Sequence, residues 1–384
     1  MRDKQLCDEG ESSEGDESTE FCWWRTCATP EEMSSLKVTC ISDVGSLTPR
    51  LKVMREMERL TMVASEGLDD LRHRLVSYRA GDLWVPMGGV KKEDMEIPST
   101  ITILLVGFAA GGKSSLVNLM YSVLGRAGII PFAQTSGSSV NSESTTMFLE
   151  EHNVLRSVRS GFCVFDSRGF GYNDREDESL MELSQWTSEG VKHNQPCCRL
   201  SDESRNVNIG STSTSTSRKF SKRQVNCAMV VANMADLYDQ LKTGDSKPLE
   251  ATREVFCQPD LKRGNQNPIL VLTHGDKLSA EERIDGRVKI CQFLGISETS
   301  GVYDIVCLTE CGVLAEECDP VTAYALTEAV YRALLISDMS HLPKKNFKDR
   351  TVSVFSWLLC MIGTFFALLA RLFSGPNQKY RKFK

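Results

Sequence analysis

The sequence lacks the features that identify a secreted, disulfide-bonded or nucleic-acid-binding protein. Its 384 residues carry 45 Lys and Arg against 51 Asp and Glu, and this net charge of −6 argues against general nucleic-acid binding. The 14 cysteines include no pair with C-x-x-C spacing, which disfavours a zinc site. The first four residues lead into acidic residues and not into an apolar signal. We therefore expect reduced thiols in a protein whose body faces the cytosol.

A phosphate-binding motif follows an apolar, β-branched stretch at residues 101–106. Residues 107–114 are G-x-x-x-x-G-K-S, and apolar residues with helical spacing come next. Glycines let backbone N–H groups converge on an anion, Lys113 supplies a cation for the β- and γ-phosphates, and Ser114 offers a hydroxyl to Mg²⁺. A glycine-rich turn with a chance lysine is the disfavoured alternative. The candidate phosphate-binding residues are Gly107, Ala110, Gly111, Gly112, Lys113, Ser114 and Ser115.

A polar, glycine- and serine-rich stretch at residues 133–144 ends at Thr145 and Thr146, just before an apolar stretch at 147–149. In nucleotide switches a threonine at such a place senses the γ-phosphate through Mg²⁺ and orders its loop. We expect one of these two residues to take that role, without choosing between them. Two threonines that simply begin a strand fit the spacing equally well.

An apolar strand predicted at residues 161–165 ends in the motif Asp166-Ser-Arg-Gly169. A carboxylate at the end of a buried strand can hold the water shell of Mg²⁺, and Gly169 can offer its backbone N–H to the γ-phosphate. The next residue is Phe170, at the position where a glutamine would orient an attacking water. The motif therefore predicts metal binding but no obvious catalytic glutamine.

Further apolar strands are predicted at residues 225–232, 268–272 and 302–308. The second of them ends in Thr273-His-Gly-Asp276. An aspartate here can accept hydrogen bonds from N1–H and the exocyclic amine of guanine, whereas adenine presents the wrong pattern. The alternative is a local cap of a strand-to-helix turn. Residues 309–311 are expected beside the base.

The N-terminal region, residues 1–48, is acidic and serine-rich, which is typical of disorder. Its apolar patch at residues 21–24 is expected to dock on the folded body, with partner binding as the alternative. Residues 49–98 are predicted to form an amphipathic helix followed by a connector. This helix covers the nucleotide domain in the favoured interpretation and is a self-association or stalk helix in the other.

The C-terminal region contains an uncharged apolar stretch at residues 351–370. Twenty helical residues span about 30 Å, the thickness of a bilayer's hydrocarbon core. We expect a transmembrane helix over residues 351–373 and a basic tail over 374–384, inserted after synthesis. A buried or interfacial helix is the alternative.

A Ser/Thr-rich insertion is predicted at residues 194–224.

In this order, the motifs resemble those of a P-loop GTPase over residues 99–340. The Thr-His opening of the base motif, in place of Asn-Lys, and the C-terminal anchor are similar to the septin-related branch that includes the tail-anchored plastid import-receptor GTPases. The switch region is similar to interferon-induced GTP-binding proteins and their plant relatives. The resemblance implies a three-layer α/β domain with a mostly parallel sheet, bound GTP or GDP, and Mg²⁺.

The same resemblance implies roles for individual residues. It implies that Lys113, Thr145, Thr146 and Gly169 serve hydrolysis, that Ser114, Thr145 and Asp166 hold the metal, and that Thr273, His274 and Asp276 hold the base. It also implies slow hydrolysis, completed by pairing two nucleotide domains in a homodimer. Arg168 is a charge stabiliser in that scheme, although a surface salt bridge is the favoured role.

The resulting expectation is a membrane-anchored GTPase switch, with its body in the cytosol. The basic tail favours a mitochondrial or plastid outer membrane over the endoplasmic reticulum. Two alternatives stay open: a GTP-binding membrane receptor or scaffold with little hydrolysis, and an ATPase or P-loop kinase.

Overall fold

The computed structural model describes residues 22–36, 47–86, 90–125, 132–134, 146–172, 176–197, 220–306, 319–344 and 347–373. The chain divides into two compact units, one made of residues 1–85 and 97–340 and the other of residues 86–96 and 341–384. The first unit is an α/β domain built on a mixed, mostly parallel sheet of seven strands. The predicted α/β class is therefore confirmed.

The seven strands run in the spatial order β4-β2-β3-β1-β5-β6-β7. Strands β3, β1, β5, β6 and β7 are parallel neighbours, whereas β2 pairs antiparallel with both β3 and β4. The carboxyl ends of the five parallel strands consequently share one edge, where open α/β sheets bind ligands. The strands are β1 (Ile101–Val106), β2 (Phe148–His152), β3 (Phe162–Asp166), β4 (Gln195–Pro196), β5 (Cys227–Asn233), β6 (Ile269–Thr273) and β7 (Val302–Asp304).

Helices connect the strands and precede them. Two of these helices carry the capping signals of their sequences: a Ser279–Glu282 capping box starts α7, and Asp319 caps α8. The described helices of the first unit are α1 (Pro30–Leu36), α2 (Pro49–Ser77), α3 (Lys113–Val123), α4 (Glu176–Glu189), α5 (Met234–Thr243), α6 (Lys247–Cys257), α7 (Ala280–Leu294) and α8 (Pro320–Met339).

Residues of the central strand β1 belong to two separate hydrophobic cores. Ile101 and Ile103 belong to the core that also contains α2, α3 and α8. Leu104 and Val106 belong to the core that contains α4, α5 and α6. Because successive side chains of a strand point to opposite faces, the sheet lies between these two layers of helices. This arrangement is compatible with the predicted three-layer domain.

The N-terminal helix α2 covers this domain. Its buried face packs in the same core as α8, and a Cβ on Gly67 would lie 3.1 Å from a ring carbon of Tyr324. Beyond its end, Asp338 of α8 accepts hydrogen bonds from the Tyr78 hydroxyl and from the backbone N–H groups of Gly81 and Leu83, all at 2.8–2.9 Å. Of the two predicted roles, the covering helix fits these contacts.

The expectation of disorder over residues 1–48 is wrong for residues 22–36. Trp23–Cys27 form a 3-10 turn, and α1 follows it. Trp24 is fully buried and donates from Nε1 to Glu58 at 2.9 Å. The apolar patch therefore docks on the domain, because two indole rings supply enough apolar surface to order a short segment.

The second unit contains a short antiparallel contact and the helix α9. Met95 bridges to Pro343, and Glu96 donates its N–H to the Leu342 carbonyl at 2.9 Å. Helix α9 spans Phe347–Phe373, and the structure describes its side chains from residue 355 to 371. Within the described part of the chain, no helix has the length and apolarity needed to cross a bilayer.

Candidate functional site

Glycines allow the phosphate loop, residues 107–114, to pack closely against strand β5. Gly107 has φ +151°, and a Cβ there would lie 2.1 Å from the Val231 carbonyl oxygen of β5. Gly112 has φ +86° and is the N-cap of α3, so the loop ends in a left-handed residue. Ala110 also has positive φ, at +57°. The first backbone N–H groups of α3 have no intrahelical partner and could bind an anion at this end of the helix.

Lys113 is buried, and main-chain oxygens hold its ammonium group. Its Nζ donates to the carbonyls of Gly107 at 3.1 Å and Phe108 at 2.9 Å. The Asp166–Gly169 segment lies against the same group, since a Cβ on Gly169 would be 3.0 Å from Nζ. The positive charge is therefore fixed between the phosphate loop and the segment predicted to face the γ-phosphate.

Two of the predicted metal ligands are hydrogen-bonded to each other. Ser114 donates from Oγ to Asp166 Oδ2 at 2.6 Å, and the Thr146 hydroxyl lies 3.4 Å from Ser114 Oγ. Thr145 lies outside the described residues, and Ser115 is half-buried in the first turn of α3. The structure therefore brings together Ser114 and Asp166, both expected at the metal, and Thr146, one of the two threonines considered for sensing the γ-phosphate.

The donor set fits a hard cation such as Mg²⁺. Asp166 is buried, and its Oδ1 has no hydrogen-bond partner among the described residues. Burial raises the pKa of this carboxyl, against the lowering effects of Lys113 and of the Ser114 hydrogen bond. No cluster of three His, Cys, Asp or Glu ligands occurs in the described ranges. Phosphate oxygens and waters would therefore complete the shell of such an ion.

A second polar group beside Asp166 was missed at the sequence level. Glu150 is its register partner on the antiparallel strand β2, and directly opposed Cβ atoms lie about 5 Å apart. His152, two residues on, places Nε2 3.6 Å from Glu150 Oε2 and Nδ1 3.3 Å from the Tyr121 hydroxyl. The alternating pattern of β2 gave no functional signal; only the register with β3 brings these residues to Asp166.

Phe170 is packed away from any nucleotide chemistry. It is 1% exposed, and its ring lies 6.1 Å from that of Phe108 and 6.3 Å from that of Trp186. Its backbone pairs with the phosphate loop, since Ala109 N–H donates to Phe170 O at 2.7 Å. The backbone of Phe170 therefore links the Asp166–Gly169 segment to the loop, and its side chain is part of the hydrophobic core.

Arg168 does not lie at the surface, where a salt bridge was expected. It is buried, at 7% exposure, and its Nη1 donates to the Cys197 carbonyl at 2.9 Å. The preference for a surface role was wrong because the residue follows β3 into the packed edge of the sheet, next to β4. The hydrogen bond to Cys197 places the Arg168 guanidinium beside the end of β4.

Thr273 connects the base motif to the phosphate loop. Its hydroxyl lies 2.9 Å from the Gly111 carbonyl, 3.2 Å from the Ala232 carbonyl and 2.9 Å from His274 Nδ1. The hydroxyl has one proton, which the two carbonyls share as acceptors, so the contact with His274 is a hydrogen bond when Nδ1 carries hydrogen and donates. From the sequence, only the resemblance accounts for a threonine at position 273. The hydrogen bond to the Gly111 carbonyl supplies a physical reason for it.

The β6–α7 loop, residues 274–279, carries the other two predicted base ligands. His274 has φ +58° and lies beside Gly112, where a Cβ would be 3.4 Å from His274 Cε1. Burial and the nearby Lys277 lower the pKa of this imidazole and favour its neutral form. Asp276 is exposed in the 3-10 turn Gly275–Lys277. Residues 309–311, also expected near the base, lie outside the described residues.

The described candidate residues lie at or just after the carboxyl ends of β1, β3 and β6, except for Thr146, which precedes the antiparallel strand β2. The chain matches no protein-family model, and the search of curated proteins finds no similar chain.

Proposed function

We propose that the protein binds guanine nucleotides with Mg²⁺ and is held to a membrane by helix α9. The observation that carries the proposal is the hydrogen bond from Thr273 to the Gly111 carbonyl, at 2.9 Å. This bond joins the loop that would hold a base to the loop that would hold phosphates. One nucleotide of ordinary size can therefore contact Lys113 and Asp276 together.

The phosphate chemistry would rest on main-chain amides and on Lys113. Backbone N–H groups at the start of α3 and the ammonium of Lys113 would neutralise the β- and γ-phosphates. Mg²⁺, when bound, would neutralise the remaining phosphate charge. Ser114 and Asp166 would hold it, and Thr146 lies within reach of the same point.

Base selection would rest on Asp276. Its carboxylate would accept from two N–H donors of guanine, which adenine cannot supply in the same pattern. A neutral His274 beside Gly112 would offer a flat, uncharged neighbour for the ring. These features favour GTP over the alternative of an ATPase or kinase.

Hydrolysis is proposed to be slow, and a homodimer of nucleotide domains to accelerate it. The buried, aromatic surroundings of Phe170 equally favour a second candidate, a GTP-binding receptor or scaffold that barely hydrolyses its ligand. Single-turnover hydrolysis at rising protein concentration separates the two. A rate that climbs with concentration supports the assisted GTPase, whereas a flat rate near zero supports the receptor.

The membrane part of the proposal rests on the described side chains of α9. Five of its large apolar side chains are 60–68% exposed: Phe355, Trp357, Leu359, Phe366 and Leu368. So many exposed apolar side chains on one helix favour contact with an apolar medium. Since no described helix has the length and apolarity needed to cross a bilayer, the single span is proposed from the uncharged sequence of residues 351–370. The body's cytosolic orientation and an outer mitochondrial or plastid membrane are part of the same proposal.

Two experiments on the full chain test the proposal. Purified in detergent micelles, the protein should bind GTP and GDP in preference to ATP and XTP in a competition assay with Mg²⁺. Preference for ATP would refute the guanine assignment. Expressed in cells, the protein should stay in the membrane pellet after alkaline carbonate extraction, and its release by carbonate would refute the anchor.

A further inference from the structure

The N-terminal segment, residues 22–36, is fastened to the domain close to the β6–α7 loop. Glu58 of α2 accepts from Trp24 Nε1 at 2.9 Å and from Arg25 Nε at 2.6 Å. Arg50 donates to Glu32 at 2.9 Å and to Glu281 of α7 at 2.6 Å. The segment is therefore tied both to α2 and to the first turn of α7.

Trp23 of this segment covers a buried arginine. The Arg283 guanidinium carbon lies 4.0 Å from the centre of the Trp23 ring, the geometry of a cation–π contact. On its other side, Arg283 Nε donates to Asp304 Oδ2 at 2.6 Å, and both residues are buried. The indole thus closes the open side of a buried ion pair.

That ion pair lies directly beneath the turn that carries Asp276. A Cβ on Gly275 would be 2.5 Å from Arg283 Nε and 3.0 Å from Asp304 Oδ1. Only a residue without a side chain lets the backbone rest so closely on these groups. The position of the Gly275–Lys277 turn therefore depends on where Arg283 is held.

We infer that the docked N-terminal segment controls nucleotide release by fixing Arg283 beneath the base-binding turn. Arg283 is a positioning residue in this scheme, since it acts through Gly275 on Asp276. When Trp23 leaves, Arg283 loses its cover and becomes hydrated, and the turn above it loses its support. The guanine contact then weakens while the phosphate contacts remain. This inference rests on the proposed guanine-nucleotide function.

The first test is Trp23→Ala in the full chain, purified in detergent, with fluorescently labelled GDP as the probe. Loss of the cation–π contact is expected to speed GDP release by roughly 3- to 30-fold and to reduce the preference for GTP over ATP. Trp23→Tyr keeps an aromatic face and should restore most of the slow release. Ser34→Ala removes only an exposed hydroxyl that bonds to the Pro30 carbonyl within α1, and it should release GDP at the wild-type rate.

The second test compares two buried arginines of α7. Arg283→Lys keeps the charge but loses the planar donor that packs under Gly275. Arg287→Lys is the matched control, because Arg287 is 1% exposed and donates to the carbonyls of Glu298 and Val302, away from the β6–α7 loop. Both variants should lower the melting temperature, but only Arg283→Lys should also reduce base preference.

The possible results separate the inference from the proposed function. If the wild-type chain fails to bind GDP at all, the proposed function is wrong. If it binds GDP, and Trp23→Ala releases it at the wild-type rate with unchanged base preference, the inference alone is overturned. Equal changes of base preference in the Arg283 and Arg287 variants would likewise overturn it, because they would indicate general loosening of α7.

Discussion

The two ends of the candidate nucleotide site are built in different ways. At the phosphate end, Lys113 and Asp166 are buried and are held by contacts within the loop and its two neighbouring strands. At the base end, Asp276 is exposed on a short turn whose floor comes from Arg283 and, beyond it, from the N-terminal segment. In the proposed function, affinity for phosphate would therefore rest on the sheet edge, whereas base selectivity would depend on a segment distant in sequence.

Replacing Lys113 by Ala should produce the largest effect, and it acts on the phosphate end alone. Loss of two charge-assisted bonds to phosphate removes roughly 3–6 kcal/mol of binding free energy, so GTP, ATP and XTP should all lose affinity together. Isothermal titration of the full chain measures this loss. Lys262→Ala, an exposed lysine before β6, is the control. Wild-type affinity in Lys113→Ala would break the assignment of the phosphate end.

Replacing Phe170 by Gln tests whether a catalytic glutamine can be restored at the phosphate end. Because Phe170 is packed against Phe108 and Trp186, we expect the free energy of unfolding to fall by about 3–5 kcal/mol. Hydrolysis of GTP should not increase. Urea denaturation and single-turnover assays measure the two effects, with Phe170→Leu as the control for lost volume. Faster hydrolysis in the glutamine variant would mean that position 170 reaches the γ-phosphate.

Asp276→Asn tests base selection at the other end of the candidate site. An asparagine offers a donor where guanine needs an acceptor, so GTP affinity should fall by about 1.5–3 kcal/mol while XTP affinity rises. Stability should hardly change, since Asp276 is exposed. Competition binding with GTP, XTP and ATP measures the shift. An unchanged order of preference would leave Asp276 as a mere turn residue.

The smallest expected effect is a pH dependence of stability from His274. Burial lowers the pKa of this imidazole in the folded chain, so the neutral form contributes stability that is present above the unfolded pKa of about 6.5. That contribution is lost as the pH falls through the folded value. His274→Asn, which tolerates the left-handed backbone and does not titrate, should lose less stability between pH 7.5 and 5.5. Parallel urea midpoints in the two proteins across this range would contradict the assignment.

Local patterns were enough to predict most of the strands, the glycine loop and several helices. Continuous apolar runs mark the buried strands, the G-x-x-x-x-G-K-S spacing marks the loop, and the Ser279–Glu282 pair marks the start of α7. Helix α5 was missed, because it begins directly at the end of β5 without a connecting loop. The two-residue strand β4 was missed because it is too short to carry a pattern.

The order of elements and the residue types at each strand end follow from local sequence, because they depend on neighbours a few positions away. Which strand ends meet depends on the assembled fold. The strand register set Glu150 opposite Asp166, and helix packing brought Trp23 over Arg283, 260 positions further along the chain. Such contacts leave no periodic signal, since burial and charge pairing between distant residues are fixed only when the whole sheet and both of its helical layers are assembled.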